Sequence, residues 1–261
     1  MRGFMSFLFI FPVHGKRYTR RFVEMKLEMG FGNSYYKEKL REIGMADVKA
    51  VLFDMDGVLV NSEPVITEAA IRALREFGVM AANADFHPFT GMGEDRFIGG
   101  VAELHGKAYD KAMKARAYQI YQDIVGSMIE VYPGTLPLLR ILKEKGIPAA
   151  LASSADLIKV EANLNAAGID AGLFGAIVCG DDVEHKKPAP DIYLLAASRL
   201  GQAPSGCVVV EDAISGIRAA NAAGMRSVAV MTSFGATILK AEGAAAVCSD
   251  ISGVWDILAS M

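Results

Sequence analysis

Two acidic residues, Asp54 and Asp56, directly follow a short apolar run at Val51-Leu52-Phe53. An apolar run of this length before an Asp-Gly turn signal is typical of a buried parallel strand. Side chains two positions apart in an extended segment point to the same side, so both carboxylates could face one small space. Two anions that close repel each other unless a cation or a proton lies between them. The alternative is a strand that ends in a turn with two solvated acids.

Three more polar groups follow apolar segments further along the chain. Ser153-Ser154 ends the second predicted strand, where a hydroxyl and backbone amides before a helix can hold an anion, although a simple helix cap is the alternative. Lys187, just before Pro188, is a usable phosphate partner, although many such lysines are only solvated. Glu211-Asp212 ends a Val-Val-Val run. Buried charge there is unfavourable unless a hard cation such as Mg²⁺ offsets it.

The patterns of the remaining chain predict one sheet that brings these groups together. Helical periodicity follows Ser62, a candidate helix cap, and continues through 95–104 and 110–125 without a strand. Strands and helices then alternate, which predicts an α/β fold with a Rossmann-like, doubly wound parallel sheet. We expect residues 48–63 and 132–261 to form this core, and residues 64–131 to form an inserted all-helical cap. The predicted later strands are 147–152, 176–179, 207–210 and 227–231.

Composition and charge limit the class of protein. With 52% hydrophobic and 22% charged residues, the 261-residue chain has ample material for a core. The net charge of −3 and the absence of a basic stripe predict no nucleic-acid partner. Three well-separated cysteines, Cys179, Cys207 and Cys248, fit a reducing compartment without disulfides or a zinc site. No run approaches the roughly 20 apolar residues of a membrane span.

The first 47 residues differ from the rest of the chain. They contain no acid before Glu24, several basic residues and a strongly apolar stretch from Phe4 to Val13. This composition is typical of an organelle targeting segment. Scarce serine and the lack of a clear cleavage site favour instead an upstream-start artefact or an extension that is disordered or packed. We therefore expect residues 1–47 to be an extension outside the catalytic core.

Taken in order, the polar groups resemble the four motifs of the haloacid dehalogenase superfamily of phosphotransferases. The resemblance runs from about Val48 to the C-terminus. A helical insertion directly after the first motif is similar to the helical-cap subclass, which includes sugar-phosphate phosphatases, phosphoglycolate phosphatases and β-phosphoglucomutases. The motifs appear here as Asp54-Met-Asp56-Gly57-Val58, Leu151-Ala-Ser153-Ser154, Lys187-Pro188-Ala-Pro190-Asp191 and Val-Val-Val-Glu211-Asp212-Ala-Ile-Ser-Gly216-Ile.

The resemblance implies a role for each residue. Asp54 would attack phosphorus and form an aspartyl-phosphate. Asp56 would protonate the leaving alcohol and then activate the water that cleaves the intermediate. The phosphoryl oxygens would be bound by Ser153, Ser154 and Lys187. The implied cofactor is Mg²⁺, held by Asp54, the backbone carbonyl of Asp56 and the pair Glu211 and Asp212.

Two departures from the family pattern separate a phosphatase from a mutase. The phosphoglucomutases carry a His in the first cap helix, where this chain has Ile66. They also carry a phosphate-clamping Arg in the cap loop, where this chain has Glu94, and an acid would repel a second phosphate. Arg96 or a cap lysine could compensate for that exchange. We expect substrate choice to depend on the cap residues Glu63, Gly91, Glu94 and Arg96.

The leading hypothesis is a Mg²⁺-dependent phosphatase that hydrolyses a small, sugar-phosphate-like monoester. A β-phosphoglucomutase-like mutase and a low-turnover regulatory module are the alternatives. The expected partner is a small phosphorylated metabolite, and the expected state is a monomer. Residues 88–102 and 152–164 are also similar to the hydrolase-like domain of a plant thylakoid protein. That similarity implies a photosynthetic organism and a plastid setting. The expected location of the protein is the cytoplasm or the plastid stroma.

Overall fold

The computed structural model describes two short strands in the first 47 residues, then residues 48–90 and 93–261. Strands β1 (Ile10–Val13) and β2 (Lys16–Thr19) pair antiparallel and belong to a different unit from Val48–Ser260. The other residues among the first 47 lie outside the described part of the chain, as does Gly91. The predicted targeting or disordered extension therefore stays a prediction.

A six-stranded parallel sheet forms the centre of Val48–Ser260. The strands after β2 are β3 (Ala50–Phe53), β4 (Val60–Asn61), β5 (Glu130–Val131), β6 (Ala149–Ala152), β7 (Ala176–Val178), β8 (Cys207–Glu211), β9 (Arg226–Val230) and β10 (Ala246–Cys248). The spatial order of the strands in the sheet is β10-β9-β8-β3-β6-β7. Strand β3 is fully buried and pairs with β8 on one side and β6 on the other. Central parallel strands are covered on both faces, which explains why they read as continuous apolar runs.

Among the described residues between β4 and β5, four α-helices share an apolar core, against which Ala162 and Ala166 of a later helix also pack. In that core the rings of Phe86 and Phe97 are 4.8 Å apart, and Tyr121 is fully buried. At the two ends of the insertion, β4 and β5 pair antiparallel, with Val60 opposite Val131. We call these helices the helical insertion: α1 (Glu63–Glu76), α2 (Asn83–Phe86), α3 (Glu94–Leu104) and α4 (Lys111–Met128).

The remaining helices connect the strands of the sheet. Small side chains such as Ala196 and Ala220 are buried in the apolar cluster under it, which permits close packing of helix on sheet. None of the helices in the described part of the chain is long and apolar enough to cross a membrane. The connecting helices are α5 (Thr135–Glu144), α6 (Leu157–Ala167), α7 (Asp191–Arg199), α8 (Ile214–Ala222), α9 (Ala236–Ala241) and α10 (Val254–Leu258).

The predicted fold class is confirmed by this parallel sheet with its flanking helices. One local expectation was wrong. Ser62 occupies the cap position of α1, but its hydroxyl makes no capping bond and donates instead to Asp56. The reason is tertiary, because the turn after β3 brings the Asp56 carboxylate within reach of the start of α1.

Candidate active site

The carboxyl end of β3 positions the first two carboxylates. The chain leaves the sheet directly after Phe53, with the Asp54 amide still bonded to the carbonyl of Val210 at 3.0 Å. It then turns at Gly57, whose φ of +82° suits glycine. A Cβ at Gly57 would lie 2.0 Å from Oδ2 of Asp212. The turn therefore needs glycine both for its conformation and for the close approach of a third carboxylate.

Asp54 is buried and is held by a lysine from the loop before α7. Lys187 Nζ donates to Asp54 Oδ1 at 2.5 Å and to Glu211 Oε1 at 2.7 Å. Burial raises the pKa of Asp54 to about 7; Lys187 opposes that rise, and the nearby charges of Glu211 and Asp56 add to it. A raised pKa at a buried carboxyl indicates that the group lacks compensating positive charge.

Glu211 and Asp212, the acidic pair at the end of β8, lie in two different environments. Both oxygens of Glu211 are bonded to protein donors, since Oε1 accepts from Lys187 and Tyr193 and Oε2 accepts from two main-chain amides. Asp212 receives the hydroxyls of Thr232 and Ser233 on Oδ2. Burial, followed by the charges of Glu211 and Asp54, raises the pKa of Asp212 well above its usual range.

Asp56 has quite different partners. Ser62 and Asn163 donate to its Oδ1, the latter at 3.2 Å, and Lys159 Nζ donates to its Oδ2 at 2.9 Å. Burial acts to raise the pKa of Asp56, but Lys159 and Ser62 outweigh it and hold that pKa below its usual value. The two carboxylates that were predicted to act together therefore sit side by side in opposite electrostatic surroundings.

Lys159, Asn163 and Tyr121 were missed by the sequence prediction. Lys159 and Asn163 lie four residues apart on α6, so they share one helix face with the buried Val160 and Leu164. The Tyr121 hydroxyl donates to the amide oxygen of Asn163. A lysine and an asparagine on an otherwise apolar helix face are the signal that could have revealed them, because such groups are buried only when partnered.

The predicted phosphate-binding serines lie at the same sheet edge, after β6. Ser153 is buried, and its Oγ accepts from the amide of Ala155 at 3.1 Å. The Oγ of Ser154 is buried without a hydrogen-bond partner among the described residues. Among the described residues, no hydrogen bond joins either serine to Asp54, and the pairing of β6 with β3 is what brings them to this edge.

The predicted cap residues are brought to the site unequally. Glu94, at the start of α3, lies 3.2 Å from Lys159 Nζ and so reaches the Asp56 cluster. Glu63 accepts from the Thr90 hydroxyl at 3.2 Å at the surface. Arg96 pairs with Glu103 on its own helix at 2.6 Å, and the structure does not bring its side chain to the carboxylates.

The donor set fits a hard cation. Within the described residues no three His, Cys, Asp or Glu side chains form a metal-binding group. Mg²⁺, however, commonly takes only one or two carboxylates, plus main-chain oxygens and waters. Asp54, Glu211 and Asp212 are buried together with Lys187 as the cation bonded to two of them. This excess of negative charge among oxygen donors is the chemistry that suits such an ion.

Comparison with known proteins agrees with this fold. A family model of haloacid dehalogenase-like hydrolases matches residues 48–224. The match covers well over half of the chain and includes every predicted motif. The chain belongs to the haloacid dehalogenase-like hydrolase family. The predicted family resemblance and the assignment to the hydrolases are thereby confirmed.

Three relatives illustrate how far the similarity extends. The chain is 48% identical over 211 residues to protein SUPPRESSOR OF QUENCHING 1, chloroplastic, of Arabidopsis thaliana, a match that covers 79% of this chain and 20% of that protein. The chain thus spans about a fifth of that relative's length. The predicted similarity to a plant protein is confirmed. It is 33% identical over 193 residues to a phosphorylated carbohydrates phosphatase of Thermotoga maritima, covering 69% of this chain and 84% of the relative.

The third is a solved structure. A mutant of CbbY from Rhodobacter sphaeroides, in complex with xylulose-(1,5)bisphosphate, superimposes with a TM-score of 0.69 at 27% identity. The superposition covers 78% of this chain and 95% of that one. The chain therefore has the same overall fold as a protein whose structure was solved with a phosphorylated sugar.

Proposed function

We propose that the chain is a phosphatase that hydrolyses a small, sugar-phosphate-like monoester through an aspartyl-phosphate. The observation that carries this proposal is the pair of carboxylates at the end of β3, with Asp54 bonded to Lys187 and Asp56 bonded to Lys159. A nucleophilic carboxylate beside a second carboxyl that can give and take a proton is what two-step phosphoryl transfer requires. The relative named as a phosphorylated carbohydrates phosphatase supports the same class of substrate.

The two steps share the work between the two acids. First, an Asp54 oxygen attacks phosphorus, the bond from phosphorus to the leaving oxygen breaks, and Asp56, in its protonated form, gives that oxygen its proton. Then water attacks the phosphorus of the aspartyl-phosphate, Asp56 takes a proton from that water, and the bond to Asp54 breaks. The ester and one water become an alcohol and inorganic phosphate, and both residues return to their initial state. Lys187, Ser153 and Ser154 would bind phosphoryl oxygens.

Mg²⁺ is the cofactor we propose for this site. Asp54, the main-chain carbonyl of Asp56 and Asp212 would hold it. Glu211 belongs to the same acidic group, but both its oxygens are already bonded, so it would support Asp212 and Lys187 from behind. When bound, the ion would offset the repulsion between the nucleophile and the phosphate.

Residues 64–131 are proposed to act as a cap over a core of residues 48–63 and 132–261. Their shared apolar core, against which Ala162 and Ala166 of α6 also pack, and the paired crossings at β4 and β5 support movement as a unit. The crossings near Asn61–Pro64 and Glu130–Gly134 would be the hinges. Closure would exclude water during the first step. The cap meets the core through charged groups, notably Glu94 with Lys159.

The acidic character of Glu94 supports a substrate with one phosphate rather than two. Its carboxylate lies where a second phosphate clamp was expected, and Arg96 is paired with Glu103 rather than turned toward the site. A phosphatase is therefore preferred to a mutase. We further propose a plastid setting, supported by the word chloroplastic in the name of the Arabidopsis relative. A cytoplasmic setting and a monomeric state stay predictions.

The test is a phosphate-release assay of the purified protein. Its substrates are p-nitrophenyl phosphate and a panel of sugar monophosphates and bisphosphates, each with Mg²⁺ and with EDTA. We expect Mg²⁺-dependent release well above an Asp54→Asn control. Conversion of one sugar phosphate into an isomer without phosphate release would favour the mutase. Absence of both activities would favour the regulatory module.

A further inference from the structure

Lys159 is a buried lysine shared by two carboxylates from different parts of the molecule. It lies in the first turn of α6, and its side chain is only 5% exposed. Its ammonium donates to Asp56 Oδ2 at 2.9 Å and to Glu94 Oε1 at 3.2 Å. A buried ammonium is stable only when paired, and here the two partners are the acid of the site and the first residue of a helix in the insertion.

The two oxygens of Asp56 have partners of different character. Oδ1 receives neutral donors, the Ser62 hydroxyl and the Asn163 amide. Tyr121 donates to the other end of that amide, which fixes its NH₂ group toward Asp56. Oδ2 accepts from Lys159 alone among the described residues. The neutral donors therefore fix the orientation of the carboxyl group, and the oxygen left to exchange a proton is the one that Lys159 contacts.

We propose that Lys159 is a positioning residue for Asp56, and that Glu94 makes this positioning depend on the helical insertion. The inference rests on the proposed function, because Asp56 must be the acid and base of the reaction. When the leaving oxygen of the substrate approaches Asp56 Oδ2, the Lys159 ammonium releases Oδ2 and stays bonded to Glu94. The two nitrogen–oxygen distances are short enough for one ammonium to serve both carboxylates with little movement. Glu94 of the insertion thereby supplies the counter-charge for Lys159 while Asp56 exchanges its proton with the substrate.

Lys114 offers a matched control. It also joins the insertion to α6, since its ammonium lies 2.8 Å from Asp95 Oδ2 and 2.8 Å from Asp156 Oδ2. Asp156 is the cap residue of the same helix that carries Lys159. Among the described residues, no hydrogen bond or ion pair joins Lys114 to Asp54 or Asp56. Lys114→Met should therefore weaken the link between the insertion and the core without any direct effect on Asp56.

The test compares leaving groups. p-Nitrophenolate departs without a proton, whereas the alkoxide of a sugar phosphate needs one. We expect Lys159→Met to lower kcat at least about 10-fold more for the best sugar phosphate of the panel than for p-nitrophenyl phosphate. Lys159→Arg should recover part of that loss. Lys114→Met should lower both rates by the same factor.

Equal losses on both substrates in Lys159→Met would overturn the inference while leaving the phosphatase proposal intact. A wild type inactive on every substrate would overturn both. Near-UV circular dichroism checks folding. Glu94→Gln keeps the size of the side chain and gives a second arm if Lys159→Met does not fold. It removes the alternative carboxylate, so we expect a larger loss of kcat with the sugar phosphate than with p-nitrophenyl phosphate, and equal losses would again overturn the inference.

Discussion

The site has two halves, one around Asp54 and one around Asp56, and each contains one buried lysine. Lys187 lies in the Asp54 half and Lys159 in the Asp56 half. Each is a buried ammonium shared between a carboxylate of the β3 turn and a second acid. For Lys187 both acids belong to the sheet edge, and for Lys159 the second acid, Glu94, belongs to the helical insertion. The Asp54 half is therefore built entirely from the core, whereas the Asp56 half is completed from outside it.

The charges of the two halves differ as well. In the Asp54 half, Glu211 and Asp212 lie around a single lysine, and the pKa values of Asp54 and Asp212 are raised. The Asp56 half has neutral donors in addition to its lysine, and the pKa of Asp56 is lowered. The Asp54 half lacks positive charge and suits a cation, whereas the Asp56 half already has a counter-charge in Lys159.

The largest effect should separate bond formation from bond cleavage. Asp54→Asn removes the proposed nucleophile, and we expect it to reduce turnover by about three orders of magnitude or more. Asp56→Asn keeps that nucleophile but removes the proposed base of the second step. With p-nitrophenyl phosphate it should accumulate covalent phosphate, because that leaving group needs no acid. Intact-protein mass spectrometry after rapid acid quench measures the phosphoprotein in both variants.

Wild type quenched at the same time is the control for that experiment. Covalent phosphate in Asp54→Asn would show that another residue is the nucleophile. Absence of phosphoprotein in Asp56→Asn, together with unchanged turnover, would show that the two halves do not divide the work as described.

The next effect concerns the lysine of the core half. Lys187→Met leaves Asp54 and Glu211 buried without their cation, and breaking a buried pair in this way typically destabilises by about 3–5 kcal/mol. The neighbouring Lys186 is a natural control, because its side chain is 36% exposed against 5% for Lys187. Lys186→Met should change stability by less than about 1 kcal/mol. Urea unfolding in EDTA measures both, and equal losses would contradict the distinction.

The opposite pKa shifts predict opposite effects on stability. The pKa of Asp54 is raised from 3.8 to about 7, so the folded protein binds the extra proton and loses stability as the pH rises through that interval. Asp54→Asn should therefore stabilise the metal-free protein at pH 8, by at most about 4 kcal/mol for a shift of this size. The advantage should shrink toward pH 4.

Asp56→Asn is the matched comparison. The pKa of Asp56 is lowered, so its ionised form stabilises the fold above its usual pKa, and that stability is lost only as the pH falls through the folded value. The amide should therefore destabilise the protein at pH 8. Thermal unfolding in EDTA across pH 4 to 8 measures both variants. A shift of the same sign for both at pH 8 would show that the two environments are not opposite.

Much of this fold could be predicted from apolar runs and from the turn residues that bound them. The central strands β3 and β8 are continuous apolar runs, because both of their faces are covered. The short edge strand β10 and the pair β4 and β5 were not predicted. They have only two or three residues each, and their pairing depends on partners distant in sequence. A pattern of two or three residues carries too little periodicity to define a strand.

The residues of the site also divide into those that could be predicted from the sequence and those that could not. Asp54, Lys187 and Asp212 could be predicted because loops after parallel strands converge on one edge. Lys159 and Asn163 could not be predicted that way, because they lie on a helix beyond the strand end. They reach Asp56 only through the orientation of α6, which depends on how that helix packs against the insertion and the sheet. The sequence places residues in order, and it leaves open which helix face meets the site.

The smallest effect should come from Arg96, which the sequence also placed among the residues of substrate choice. Its guanidinium pairs with Glu103 on an exposed helix face and lies 5.1 Å from the centroid of the Phe89 ring. Exposed pairs of this kind contribute little, so Arg96→Ala should change the free energy of unfolding by less than about 1 kcal/mol. Because the side chain does not reach Glu94 or Asp56, kcat/KM for sugar monophosphates and bisphosphates should stay within about twofold of wild type. Glu94→Gln, assayed on the same panel, is the comparison that should shift the preference. A selective loss on bisphosphates in Arg96→Ala would place Arg96 over the substrate and would strengthen the mutase alternative.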